Sequence, residues 1–149
     1  MKETIRYYLA GTHYEEEPHK NWKQHIVESI QGFGIVEPEF ENIKHNFYDP
    51  NPVPGAWSTD IIKNDKQHIQ NSDILIAYID RISIGTTMEI FYAHSLGKRV
   101  YVIDYNGKNK LCKNLWMAGH CDCIFTSVDE CANHILDMMY KLHKWYLDE

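Results

Sequence analysis

Two short apolar runs near the middle of the chain constrain its fold more than any other feature. Residues 74–79 read Ile-Leu-Ile-Ala-Tyr-Ile and residues 100–103 read Val-Tyr-Val-Ile, so both predict buried strands. Between them, Gly85-Thr86 opens a mainly apolar segment that predicts a helix. A strand, a helix and a strand in this order form a crossover between parallel strands, the building unit of an α/β sheet.

The same alternation continues along the rest of the chain. Strands are expected at residues 5–10, 35–36, 73–79, 100–104 and 123–126. Helices are expected at residues 21–33, at 61–71 behind a Thr59-Asp60 cap, from Gly85 onward, and at 128–146. Five strands joined by helices predict a parallel sheet covered on both faces, which is a three-layer α/β sandwich. The proline-rich residues 49–55 make residues 39–58 the least regular part, and such a long loop is more often functional than idle.

Composition excludes several classes of function. The 149 residues are enough for a single domain and leave no room for a second. A formal net charge of −6 disfavours binding to nucleic-acid polymers. No apolar segment is long enough to cross a bilayer, and the N-terminus lacks a signal-peptide core, so we expect a cytoplasmic protein without membrane contact.

The four cysteines do not have the spacing of a metal site. Cys121 and Cys123 lie beside His120, but no Cys-x-x-Cys pair completes a tetrahedral set with Cys112 or Cys131. We therefore expect reduced, partly buried thiols and no bound metal.

Two acidic residues are candidates for a functional site. Glu89 is expected just past the C-terminal end of a parallel strand, in the first turn of the next helix, where α/β sheets bind ligands. A capping box with the Thr86 hydroxyl and a catalytic role both fit a carboxylate there. Asp65 shares a helix face with Ile61 and Ile62, and an inward carboxylate is costly unless it is paired or used.

The first loop argues against a nucleotide-cofactor enzyme. It runs from Gly11 to Pro18 with one glycine and three consecutive glutamates, so it lacks the features of a phosphate cradle. We interpret those glutamates as a solvated stretch, and Asp80 as a solvated turn acid.

Taken together, these motifs resemble the nucleoside 2-deoxyribosyltransferase family. Residues 7–11 (Tyr-Tyr-Leu-Ala-Gly) are similar to its opening Tyr-Leu-Ala-Gly, and residues 85–89 (Gly-Thr-Thr-Met-Glu) to its Gly-Thr-x-x-Glu. Asn64-Asp65 looks like the family's acid-bearing helix, and residues 114–119 (Asn-Leu-Trp-Met-Ala-Gly) look like its late loop. The resemblance covers nearly the whole chain and implies a flavodoxin-like, more broadly Rossmann-like, fold.

The resemblance implies chemistry at an N-glycosidic bond. The family's glutamate, here Glu89, attacks the anomeric carbon of a 2'-deoxyribonucleoside, displaces the base and forms a deoxyribosyl ester that a second base opens. Asp65 would face the nucleobase, and Tyr7, with Tyr8 as the alternative, would orient the nucleophile. The implied partners are small deoxynucleosides and free nucleobases, as in nucleotide salvage, and no cofactor is required.

The resemblance also implies contacts to the substrate and between subunits. Asn114 would hold the sugar 5'-hydroxyl across an interface, so we expect a homo-oligomer with active sites near its subunit contacts. The implied substrate-binding residues are Gly11, Ser83, Gly85, Asn114, Trp116 and Met117.

Ser83 departs from the transferase pattern. Many transferases carry an aspartate at this position, whereas a serine resembles the related deoxynucleoside monophosphate N-glycosidases, in which it helps to bind the 5'-phosphate. The first loop and Asn114 favour free nucleosides, so deoxyribosyl transfer is the predicted reaction and monophosphate hydrolysis the alternative. A non-catalytic nucleoside-binding or nucleotide-binding protein, with Glu89 as a helix cap, is the third hypothesis.

Overall fold

A computed structural model describes residues 4–12, 14–32, 43–50 and 54–147, with side chains up to residue 141. Strands and helices alternate along the described chain. The strands are β1 (Thr4–Ala10), β2 (Lys44–Tyr48), β3 (Ile74–Ile79), β4 (Arg99–Asp104) and β5 (Cys123–Phe125). The helices are α1 (Trp22–Gln31), α2 (Ser58–Asn71), α3 (Ile84–Ser95), the short α4 (Leu115–Gly119) and α5 (Val128–Leu147).

The strands form one parallel sheet in the order β2-β1-β3-β4-β5. The five-stranded parallel α/β fold is therefore confirmed. Strand β3 is buried at every position because it lies between two other strands and is covered on both faces. The chain leaves β1 toward β2 and then returns to β3 on the other side of β1. Open sheets bind ligands at such a switch point, outside the carboxyl ends of the strands.

Each face of the sheet has its own hydrophobic core, because successive strand residues point to opposite faces. On one face, Tyr7 and Leu9 of β1 pack with residues of α1 and α5 such as Ile26 and Ile135. On the other face, Tyr8 and Ala10 pack with side chains of α2 and α3, chiefly Ile69, Ile90 and Ala93. The neighbours Tyr7 and Tyr8 thus belong to different cores, and only one of them can lie on the α3 side of the sheet.

The structure corrects the prediction for the second strand. The predicted strand at residues 35–36 lies outside the described residues, and β2 runs at Lys44–Tyr48, inside the segment expected to be irregular. The sequence Lys-His-Asn-Phe-Tyr lacks an apolar run because β2 is an edge strand that pairs only with β1.

The start of α2 also differs from the prediction. The helix begins at Ser58 with Trp57 in the N-cap position, and no side chain caps it, so the expected Thr59-Asp60 cap is wrong. The other predicted helices are present with ends that differ by a few residues. No helix in the described part of the chain is both long enough and apolar enough to cross a membrane.

Candidate active site

The carboxyl group of Glu89 lies near the C-terminal edge of the sheet, beside β1. Helix α3 begins at Ile84 because the Ser83 hydroxyl caps it, accepting a hydrogen bond from the Thr86 amide at 3.5 Å. Glu89 is therefore in the second turn of the helix, not in the first as expected, and no acid occupies the first turn. The capping box with Thr86 is not formed, so helix capping does not account for this carboxylate.

Burial changes the acidity of Glu89. Loss of solvent raises its pKa to about 7, with the nearby negative charge of Asp65 adding to the increase while Tyr8 and the Lys23 ammonium oppose it. Its Oε2 atom is buried and has no hydrogen-bond partner among the described residues. Buried polar atoms without partners are uncommon in native proteins, and a catalytic role is one of the explanations for them. Near neutral pH this carboxyl is divided between its ionised and neutral forms.

Tyr8, and not Tyr7, faces Glu89. Burial and the adjacent Glu89 charge both raise the pKa of the Tyr8 phenol, so it stays protonated and able to donate. The Tyr8 hydroxyl completes no hydrogen bond of ordinary geometry among the described residues. Tyr7 points to the opposite face, where its hydroxyl pairs with His45 Nδ1 at 2.9 Å and its ring stacks on Phe47. Of the two tyrosines considered for orienting Glu89, the alternative Tyr8 is therefore the one beside it, and Tyr7 is not.

Asp65 reaches the same site from α2. Burial raises the pKa of its carboxyl, and nearby His68 opposes this. Its charge in turn raises the pKa values of Glu89 and Tyr8, which places the three groups close together. Two of the predicted catalytic residues, Asp65 and Glu89, are therefore within range of each other's charge. The neighbouring Ile62 is 51% exposed, so only part of the expected apolar face of α2 is buried.

A group of residues at the end of β2 was not predicted from the sequence. Tyr48 accepts a hydrogen bond from Asn64 Nδ2 at 2.9 Å, and its ring stacks on His68 with centroids 3.5 Å apart. Asp49 forms an ion pair with Lys23 of α1. These contacts join residues from three separate elements, and β2 itself was not recognised in the sequence.

The glycine and serine positions predicted to bind substrate have distinct surroundings. A Cβ atom on Gly11 would lie 2.9 Å from the Trp22 ring and 3.0 Å from the Tyr78 carbonyl oxygen. Close packing therefore leaves no room for a side chain at this position. A Cβ on Gly85 would meet nothing closer than Ser83 Oγ at 4.0 Å, which leaves open space beside the start of α3. Ser83 and Gly85 therefore lie beside open space at the start of α3, while Gly11 is packed against Trp22 and the backbone of Tyr78.

Asn114, Trp116 and Met117 lie apart from Glu89 in the same subunit. Asn114 caps α4 by accepting the Met117 amide at 2.9 Å. All three residues line a cavity of 290 Å³ on a different side of α3, together with Ile90 and Phe91. Among the described residues, no hydrogen bond, ion pair or ring contact joins them to Glu89, Asp65 or Tyr8.

A separate polar cluster lies on the opposite face of the sheet. Asp80 is 4% exposed, so the interpretation as a solvated turn acid is wrong. Its carboxylate contacts His19 Nε2 at 3.0 Å and also pairs with Lys108. These charges are compensated within the fold. In the part of the chain that the structure describes, no group of three or more His, Cys, Asp or Glu side chains could hold a metal ion.

Comparison with known proteins identifies one family. Its profile, described as nucleoside 2-deoxyribosyltransferase, matches residues 7–121. No curated protein sequence matches the chain significantly.

Several solved structures share the fold. A 2-deoxyribosyltransferase from Bacillus psychrosaccharolyticus is 23% identical over 87% of this chain and 91% of its own, with a TM-score of 0.65. A conserved protein from Enterococcus faecalis V583 is 18% identical over 91% and 99%, with a TM-score of 0.67. A CMP N-glycosidase from Clostridium botulinum is 19% identical over 90% and 98%, with a TM-score of 0.58. At these identities the likeness establishes the fold.

Proposed function

Because the chain belongs to the nucleoside 2-deoxyribosyltransferase family, we propose that it transfers 2-deoxyribose from one nucleobase to another through an ester on Glu89. The observation that carries this proposal is the Glu89 carboxyl itself, buried beside Tyr8 and Asp65 with a pKa of about 7. A nucleophile with that pKa is half ionised at neutral pH, and a carboxylate nucleophile divides one difficult displacement into two easier steps.

In the proposed first step, the Glu89 carboxylate attacks C1' of the deoxyribose and forms an ester bond. The N-glycosidic bond breaks, and its electron pair moves to the ring nitrogen of the departing base. Asp65 gives that base a proton, a role supported by burial, which raises the Asp65 pKa and favours the protonated form. Tyr8 donates toward Glu89 and holds the carboxylate in position.

The second step reverses the first with a different base. The incoming nucleobase attacks C1' from the face opposite the ester, the ester bond breaks, and Glu89 returns as a carboxylate. The proton of the incoming base passes to Asp65. Two inversions retain the configuration at C1'.

The transfer reaction is tested by mixing the protein with thymidine and adenine and following the products by chromatography. Deoxyadenosine is the expected product. Release of thymine without deoxyadenosine would instead indicate hydrolysis. The absence of any reaction with deoxynucleosides or their monophosphates would overturn the enzymatic proposal and leave a binding protein.

Ser83 supports a second candidate, hydrolysis of a nucleoside 5'-monophosphate. Its hydroxyl lies at the N-terminus of α3, next to the open space beside Gly85, and helix N-termini favour anions. Substituting Ser83→Asp separates the two reactions because aspartate also caps helices but repels a phosphate. A nucleoside transferase is expected to keep most of its activity, whereas a monophosphate hydrolase is expected to lose at least about tenfold in kcat/KM.

We further propose a homo-oligomer in which a partner subunit supplies Asn114 to the site. The α3 face formed by Ile84, Met88 and Phe91 is apolar and exposed, with Ile84 at 80%. Leu115 and Trp116 of α4 are exposed at 89% and 76%. A helix that is apolar on its outer side usually packs against another surface. The separation of Asn114 from Glu89 within one chain is consistent with this arrangement.

A further inference from the structure

Tyr48 connects the edge strand β2 to the candidate site. It is the last residue of β2 and lies opposite Tyr8 in the register of the two parallel strands, so both side chains point to the face that carries α2 and α3. The two rings are in contact, with centroids 5.6 Å apart and planes inclined by 37°. The preceding residue, Phe47, stacks on Tyr7 at the other face. Tyr48 therefore contacts the tyrosine that faces Glu89.

Tyr48 also holds one turn of α2 at both of its ends. Asn64 Nδ2 donates to the Tyr48 hydroxyl at 2.9 Å, and the His68 ring stacks on the phenol with centroids 3.5 Å apart and planes inclined by 9°. Asn64 and His68 are four residues apart, so they enclose one turn of the helix, and Asp65 lies within it. A turn fixed at both ends cannot rotate or slide without breaking one of these contacts. The position of Asp65 thus depends on Tyr48.

Helix α2 has little apolar anchoring near Asp65. The structure describes α2 in full, and Ile69 is its only buried residue. Ile62 is half exposed, and no side chain caps the start of the helix. The apolar anchor of α2 therefore lies toward its C-terminal end, after Asp65. The part of the helix before that anchor is held to the sheet by contacts such as those of Tyr48.

We propose that Tyr48 is a positioning residue of the candidate site, joining the turn of α2 that carries Asp65 to the strand that carries Tyr8. The inference rests on the proposed function, in which Asp65 protonates the departing base. A general acid must come within about 2.6–3.2 Å of the atom that it protonates, so a small displacement of α2 removes its effect. Tyr48 contacts both elements with one side chain and so fixes the distance between them.

The experiment compares two donors whose bases differ in their need for a proton. Guanine must be protonated as it leaves deoxyguanosine, whereas the base of 7-methyl-2'-deoxyguanosine is already positively charged and leaves without a proton. Tyr48→Leu is expected to lower kcat/KM for deoxyguanosine by at least about tenfold and for the methylated donor by less than about twofold. Tyr48→Phe keeps the ring and loses the hydrogen bond to Asn64, so its effect should be intermediate.

Phe47→Leu is the matched control because it removes an aromatic ring from the same strand at the opposite face. Both leucine variants are expected to lower thermal stability, but only Tyr48→Leu should distinguish the two donors. Tyr48→Phe and Asn64→Ala remove the same hydrogen bond, so the double variant should distinguish the donors no more than either single variant. Equal losses with both donors in Tyr48→Leu would show a purely structural role and overturn the inference.

A titration without substrate separates this inference from the proposed function. The side-chain carboxyl of Asp65 is followed by ¹³C NMR in aspartate-labelled protein and assigned by its loss in Asp65→Asn. Burial raises the Asp65 pKa, so release of the turn in Tyr48→Leu is expected to lower it, whereas Phe47→Leu should leave it unchanged. That result supports the inference even if neither donor reacts. An Asp65 pKa that is unchanged or higher in Tyr48→Leu overturns it, whether or not the enzyme is active.

Discussion

The Glu89 carboxyl is subject to two opposing requirements. The proposed reaction uses its ionised form, whereas the fold favours its neutral form, because burial raises the pKa from an ordinary 4.5 to about 7. Lys23 and Tyr8 partly restore the ionised form. A buried carboxylate that must be ionised to react makes the protein less stable at the pH values at which the proposed reaction is fastest. Such a loss of stability is a common cost of function.

This conflict predicts that Glu89→Gln stabilises the protein at alkaline pH. The unfolded chain ionises near pH 4.5 and the folded one near 7, so the wild-type protein loses stability as pH rises through that window. The free energy of unfolding of Glu89→Gln should exceed that of the wild type by roughly 3 kcal/mol at pH 8, and the two should be equal near pH 4. Urea unfolding at both pH values measures it, with the exposed Glu15→Gln as control. If Glu89→Gln stabilised the protein equally at the two pH values, a raised pKa for Glu89 would be contradicted.

A second prediction compares neighbouring tyrosines. Tyr8→Phe is expected to lower kcat by at least about tenfold because the donor toward Glu89 is lost. Tyr7→Phe is the matched control: it removes the hydrogen bond to His45, costs about 1 kcal/mol of stability and leaves kcat close to wild type. Steady-state kinetics and thermal unfolding measure the two effects. Equal losses of kcat would contradict the placement of Tyr8.

The sequence could not choose between these tyrosines. Strand alternation places Tyr7 and Tyr8 on opposite faces, but both faces of this sheet are covered and both side chains are fully buried. Only the packing of α3 on one face identifies Tyr8. The partly buried position of Asp65 was predictable because an acid on the same helix face as Ile61 and Ile62 is visible in the spacing alone.

Among the elements, strands with a continuous apolar run were predicted correctly, and strands without one were not. Strands β3 and β4 are fully or nearly fully buried and were recognised directly. The edge strand β2 has three polar residues followed by two aromatic ones, and it was missed. The Lys23–Asp49 pair joins α1 to the end of β2 across 26 residues of sequence, so no local pattern could indicate it.

Gly11→Ala tests how α1 is held over the site. The new Cβ would lie 2.9 Å from the Trp22 ring and 3.0 Å from a backbone oxygen, so α1 must shift. We expect a loss of about 1–3 kcal/mol in the free energy of unfolding, together with lower activity. Gly119→Ala, where a Cβ meets nothing within 4 Å, is the control and should be neutral or slightly stabilising. Wild-type stability in Gly11→Ala would refute this packing role.

At the scale of the whole molecule, the two sides of α3 have different functions in this account. One side carries Glu89 beside Tyr8 and buries Ile90 in the core. The other side exposes Ile84, Met88 and Phe91, which form the proposed contact between subunits. A site completed by a neighbouring Asn114 makes activity depend on assembly.

Met88→Glu is expected to dissociate the oligomer because it places a charge within the apolar face while keeping good helix propensity. Light scattering during gel filtration should show monomers at concentrations where the wild type is assembled, with a parallel loss of activity. Asn133→Glu, on the exposed side of α5, should change neither property. An active wild-type monomer would contradict the shared site.

The proposed reaction depends on a covalent bond between Glu89 and the sugar. Thymidine is incubated with the protein without an acceptor base, the reaction is quenched with acid, and the intact mass and its peptides are measured. We expect a mass increase of one deoxyribosyl group on the peptide that contains Glu89, and no increase in Glu89→Gln. Undiminished transfer by Glu89→Gln, or the group attached to another residue, would contradict it.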